Sequence, residues 1–81
     1  MELERIKNYV DNGIKVCISN DGYEVVKGKN GEYLIKSYFP EVDSQPNYIG
    51  LTWKDGKTPN YDPSEVYTYL NSIIYIIFNS F

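Results

Sequence analysis

The chain of 81 residues has no histidine, no alanine, one cysteine (Cys17) and one arginine (Arg5). Each shortage closes off a kind of chemistry. Without histidine, the usual general base at neutral pH and the commonest metal ligand are both missing. A single cysteine permits no internal disulfide scaffold and no paired Cys-x-x-Cys zinc site. Positive charge is scarce as well: eight basic residues against eleven acidic ones leave a net charge of −3. That balance argues against a protein that grips nucleic acid through a broad positive field. No glycine run has the GxxxxGK[ST] form of a phosphate cradle. No stretch supplies the ~20 predominantly apolar residues of a membrane span. The uncharged segment after Glu65 is broken by Asn71, Ser72, Asn79 and Ser80. Met1 to Val10 interleaves acids and holds no apolar run, so a cytoplasmic protein is expected, with no membrane partner.

What remains is 42% hydrophobic and 16% aromatic, including nine tyrosines, and reads as one folded domain over residues 1–81. Leu3, Ile6 and Val10 share one helical face, which predicts a helix over 2–12 that stops at Asn12-Gly13. The period then changes to two. Ile14, Val16 and Ile18 alternate with polar neighbours as a first strand, and Asn20-Asp21-Gly22 is expected to turn a hairpin into 23–27. Asn30-Gly31 is a second hairpin signal, leading into 32–38. Phe39-Pro40 ends that strand, 41–47 is a polar loop, and 48–54 is a fourth strand with Ile49, Leu51 and Trp53 on one face. Tyr23, Tyr33 and Trp53 are expected in the core.

The last element carries conflicting signals. Asp62, Pro63 and Glu65 form a helix opening with a capping box, and a polar stripe through Ser64, Thr68, Ser72, Tyr75 and Asn79 supports a helix over 63–79. The run at 73–78, Ile-Ile-Tyr-Ile-Ile-Phe, intrinsically prefers strand. The expected fold is a small two-layer α+β domain, a four-stranded antiparallel meander flanked by an N-terminal and a C-terminal helix in the order α-β-β-β-β-α.

Catalytic signals are weak throughout. Cys17 lies between Val16 and Ile18 with one cation nearby at Lys15, the setting of a half-buried strand residue, not of an activated thiol. The acidic pairs Asp21 with Glu24, Glu41 with Asp43, and Asp62 with Glu65 fit a turn, a loop and a cap. No enzyme activity, cofactor or metal is therefore expected. Lys27, Lys29 and Lys36 lie near Tyr33 and Tyr38, a basic hairpin suited to stacking on single-stranded nucleic acid, but Glu24 and Glu32 interrupt it. That is the remote alternative, and no direct nucleic-acid contact is expected.

The aromatic excess points to association, because tyrosine and tryptophan give large contact area for little side-chain entropy. The candidates are Tyr38, Phe39, Tyr48 and Tyr61, rimmed by the carboxylates Glu41, Asp43, Asp55 and Asp62. Asn, Ile, Lys and Tyr fill 33 of 81 positions, which indicates A/T-rich coding. Size, acidity and coding together resemble the small accessory proteins of phages and mobile elements. The first expectation is thus a non-enzymatic protein-binding module that inhibits or occludes a larger host protein, such as a nucleic-acid-processing defence enzyme, in the anti-CRISPR or anti-restriction manner. The second is a self-associating structural or regulatory module. For that one, Leu70, Ile74, Ile77, Phe78 and Phe81 offer more apolar surface than one sheet face covers, so a homodimer through this segment is expected.

Overall fold

A computed structural model describes residues 1–69. They form a small α+β domain of one helix and a five-stranded antiparallel sheet. Helix α1 spans Leu3–Asp11, and strands β1 (Val16–Ile18), β2 (Asn20–Lys27), β3 (Tyr33–Ser37), β4 (Asn47–Gly50) and β5 (Val66–Thr68) lie in the sheet order β4-β3-β2-β1-β5.

The helix forms where its period placed it. Ile6 is completely buried, and Met1, Leu3, Tyr9 and Val10 pack around the core from the same side. Asn12 closes the last turn: its side-chain amide donates to the Asn8 carbonyl at 2.7 Å and its backbone N–H to Asn8 and Tyr9. Beneath the helix, Val16, Ile18, Val25, Ile35 and Leu51 complete the buried cluster. Register explains the choice, since Val25 stands opposite Ile35 in the β2–β3 ladder and alternate residues share a face. The β2–β3 turn is the one signalled by Asn30-Gly31. Gly28 N–H donates to the Glu32 carbonyl at 2.7 Å, Gly31 N–H to Gly28 at 3.1 Å, and Gly31 takes φ 82°, which only glycine adopts without strain.

Four expectations change. First, no helix follows Asp62 within the described residues. Asp62 does cap, accepting Ser64 N–H at 2.9 Å, but the helical piece is a single 3-10 turn, Pro63–Glu65. The chain then extends as β5, with Val16 opposite Thr68, Cys17 opposite Tyr67 and Ile18 opposite Val66. The open edge of β1 supplies three ladder partners, and Val-Tyr-Thr is a β-prone triplet. Glu65 does not complete a capping box; its carboxylate accepts the Ser19 hydroxyl instead. The rest of the expected helix, and the self-association set Leu70, Ile74, Ile77, Phe78 and Phe81, lie outside the described residues.

Second, Asn20-Asp21-Gly22 is strand and not turn. The reversal falls one residue earlier, at Ser19 with φ 65°, a conformation held by the Ser19 N–H bond to the Glu65 carbonyl (2.9 Å) and the hydroxyl bond to its carboxylate. Third, the strands expected at 14–18 and 48–54 are shorter, and the meander gains a fifth strand from β5. Fourth, two of the three aromatics expected in the core are exposed, Trp53 by 60% and Tyr23 by 36%; Ile49 is 54% exposed as well, while Leu51 between Ile49 and Trp53 is buried. Among the described residues β4 ends the sheet and Ile49 has a neighbouring strand on one side only, while Trp53 lies beyond the ladder in the turn where its N–H meets the Thr58 carbonyl.

Candidate functional site

Three of the four expected rim carboxylates are occupied locally. Asp43 accepts the Phe39 N–H at 2.9 Å, while the Val42 and Asp43 N–H groups return to the Phe39 carbonyl, so residues 39–43 close on themselves. Asp55 accepts Lys57 N–H at 2.9 Å, Thr58 N–H at 2.8 Å and the Thr58 hydroxyl; the hydroxyl bond leads in holding its carboxyl below the ordinary range. Asp62 is held low in the same way, first by the Ser64 hydroxyl. Glu41 alone of the four is exposed with no recorded hydrogen bond among the described residues.

The aromatic candidates separate as well. Tyr38 and Phe39 are half-buried at the end of β3; Tyr38 N–H donates to the Gly22 carbonyl at 3.0 Å, and Phe39 meets Tyr23 edge-on with ring centroids 5.2 Å apart. Tyr61 packs against the core with its hydroxyl buried and unpartnered among the described residues, and burial raises its pKa. Tyr48 is 53% exposed on β4. The Phe39 contact explains Gly22, where an added Cβ would fall 2.4 Å from the ring. Gly22→Ala is expected to push the ring off Tyr23 and cost about 1–3 kcal/mol, read by urea unfolding together with loss of the ring-current shifts on Tyr23.

The basic hairpin divides between environments. Lys27 pairs with Asp11 at 3.1 Å, and Tyr33 donates its hydroxyl to both Asp11 oxygens at 2.8 and 2.9 Å. The Tyr33 bond leads, ahead of Lys27, in lowering the Asp11 pKa. Lys7 and Lys27 both lie over the Tyr33 ring, at 5.4 and 5.2 Å. This exposed group ties α1 to the β2–β3 hairpin. Lys36 stands on the opposite face of the sheet, across from Glu24 on one side and Tyr48 on the other.

Cys17 is buried in β1, and desolvation raises its thiol pKa, the reverse of activation. Among the described residues, no group of three His, Cys, Asp or Glu side chains is placed to hold a metal ion. None of the described helices is long and apolar enough to cross a membrane.

A different surface stands out. Among the described residues five large hydrophobic side chains are exposed, and four of them, Val42, Tyr48, Ile49 and Trp53, belong to β4 and the segments entering and leaving it. Natural edge strands are commonly blunted by charge, proline or a covering element. Asn-Tyr-Ile-Gly has no charge and no proline within the strand. Hollows flank it on both faces: one of about 310 Å³ with Ile18, Tyr23, Ile35 and Ile49 among its lining, the other of about 550 Å³ with Val26, Leu34, Lys36 and Tyr48. An added strand would send alternate side chains into the two hollows while its backbone extends the ladder. Sequence reasoning included Tyr48 but missed Ile49, Trp53 and Val42. The available signal is the uncharged strand, in which alternation places only Trp53 among the core aromatics.

The class defined by this geometry is a small antiparallel α+β domain with one helix. Comparison with protein-family models, curated proteins and solved structures gives no match to the chain.

Proposed function

We propose that this protein is a non-enzymatic protein-binding domain that docks on a larger protein through the edge of β4 and its flanks. The observation that carries the proposal is the concentration of exposed large apolar side chains, four of five, on residues 42–53. Such a concentration around one sheet edge favours association, because exposed apolar residues scattered singly are ordinary. Buried Cys17 and the locally occupied carboxylates support binding over catalysis. The A/T-rich coding supports the particular form proposed here: a phage or mobile-element accessory protein that occludes a host nucleic-acid-processing defence enzyme.

The test is capture from a lysate of a low-G/C bacterial host. Wild-type protein is expected to retain a large partner, and Ile49→Lys or Trp53→Ala to reduce retention about ten-fold or more. Both side chains are more than half exposed, so both variants are expected to stay within about 0.5 kcal/mol of wild-type stability. Retention that ignores both substitutions, or no retention at all, contradicts the proposal.

A further inference from the structure

The β4 edge also has the pattern needed to pair with a second copy of the chain. In the β3–β4 ladder Ile49 stands opposite Ile35 and Asn47 opposite Ser37, and Leu51 N–H donates to the Tyr33 carbonyl at 3.1 Å. Antiparallel partners alternate between hydrogen-bonded and open pairs. Asn47 and Ile49 therefore turn their backbone groups toward β3, as Leu51 does its N–H, while the Leu51 carbonyl accepts Asn60 N–H at 2.9 Å; Pro46, Tyr48 and Gly50 turn theirs outward. This outward set is uneven. Tyr48 offers both an N–H and a carbonyl. Gly50 offers its N–H, while its carbonyl already accepts the Asn60 side-chain amide at 3.2 Å. Pro46 offers a carbonyl and has no N–H to place.

We propose that β4 pairs antiparallel with β4 of a second copy across a two-fold axis at Tyr48; this rests on the reading of β4 as an association edge. In that register Tyr48 exchanges both backbone bonds with the partner's Tyr48. Gly50 N–H donates to the partner's Pro46 carbonyl, and the reverse bond repeats it. The donor that proline lacks is the one that would have needed Gly50's occupied carbonyl, so nothing is left unmatched. Shifting the axis to Ile49 would set Tyr48 against the partner's Gly50 and demand that carbonyl a second time. It would also run the strand toward residues 59 and 60, which already meet Thr52 and the Leu51 carbonyl.

Side chains and charge agree with the Tyr48 register. The two Tyr48 rings come side by side on one face, a favourable cross-strand pair, and Ile49 meets the partner's Asn47 on the other. No charged residue lies in the strand. The antiparallel arrangement sets the end of β4 that follows Glu41 and Asp43 beside the partner end that leads into Lys54, Asp55 and Lys57, so that two negative charges face a net single positive one. An isologous contact of this kind closes as a dimer, so a second copy and the larger partner compete for the one β4 edge.

Sedimentation equilibrium of the full chain at micromolar and submillimolar concentrations, with hydrogen exchange followed at the Tyr48 and Gly50 amides, tests the pairing. The mass is expected to rise to twice that of the monomer, with exchange at both amides slowing in step. Tyr48→Lys, which charges the edge, and Tyr48→Pro, which removes an outward N–H together with the ring, are each expected to raise the dissociation constant about ten-fold or more. Monomer mass at every concentration overturns the pairing, and so does a dimer in which the two amides exchange freely. A monomer whose partner capture is still abolished by Ile49→Lys overturns self-pairing and leaves the association edge standing. Protected amides in a dimer that captures nothing support self-pairing and refute the partner.

Discussion

Ile6→Ala is expected to lower the free energy of unfolding by about 2–5 kcal/mol, the range for truncating a fully buried aliphatic side chain. Ile6 is the one residue of α1 with no exposed surface, and it seats the helix over Val16, Val25 and Ile35. Removing most of its side chain takes away transfer energy and leaves a cavity that a sheet on one side and a helix on the other cannot both close. For a small domain, whose total stability is about 5–15 kcal/mol, that is a substantial part of the reserve. Urea unfolding followed by far-ultraviolet circular dichroism measures it. Glu4→Ala, on the exposed face of the same helix, is the control and is expected to change little. An unchanged midpoint for Ile6→Ala would show that α1 does not cover the core.

The second large effect is on the attachment of β5, which is expected to weaken at both extremes of pH. Tyr67 donates its hydroxyl to Asp21 at 2.5 Å, and Tyr69 bonds the same carboxylate. These two bonds, Tyr67 first, hold the Asp21 carboxyl below its ordinary value of 3.8. In return, the bond to Asp21 raises Tyr67 well above its ordinary 10.0 and pushes Tyr69 up to about 12, with desolvation adding to both. Lys15 lies 5.3 Å from the centre of the Tyr69 ring.

The two kinds of group act in opposite directions. Asp21 favours its ionised form when folded, so its contribution is present above 3.8 and is lost as pH falls through the lowered value. The tyrosines favour their protonated form when folded, so theirs is present below 10.0 and is lost as pH rises through about 12 for Tyr69. β5 is therefore expected to hold evenly between these limits. Outside them, amide exchange at Val66–Thr68 should quicken before that of β2 and β3. Asp21→Ala removes the shared acceptor, and the late-ionising part of the tyrosinate absorbance should shift toward 10, leaving Tyr33 and Tyr61 as they were. A titration curve identical to wild type would show that Asp21 does not hold these phenols.

Several features of this protein were settled by residues close together in the chain. The spacing of Leu3, Ile6 and Val10 was enough to make α1 and to choose its buried side, because a helix satisfies its hydrogen bonds within itself. Asn30-Gly31 was enough for the β2–β3 turn, because the positive φ there belongs to glycine and to no distant contact. Asp62 caps whatever follows it, since its acceptor reaches Ser64 only two residues on. The scarcity of catalytic side chains was equally plain, being a matter of composition.

Tertiary structure decided what depends on strands meeting. Asp62-Pro63-Ser64-Glu65 opens a helix locally, yet the chain becomes β5 because β1 has an open edge and Ser19, far away in sequence, captures the Glu65 carboxylate. Asn20-Asp21-Gly22 has turn composition but lies in β2, where Tyr23 pairs with Ser37 and the Gly22 carbonyl receives Tyr38 N–H. Alternation over 48–54 could not show which strand would end the sheet, so Trp53 reads as core although it is exposed, and nothing marks Ile49 as exposed. The candidate association surface was hidden for the same reason. Residue type and spacing determine what a strand can bury; only its place in the sheet determines whether anything lies beside it to bury against.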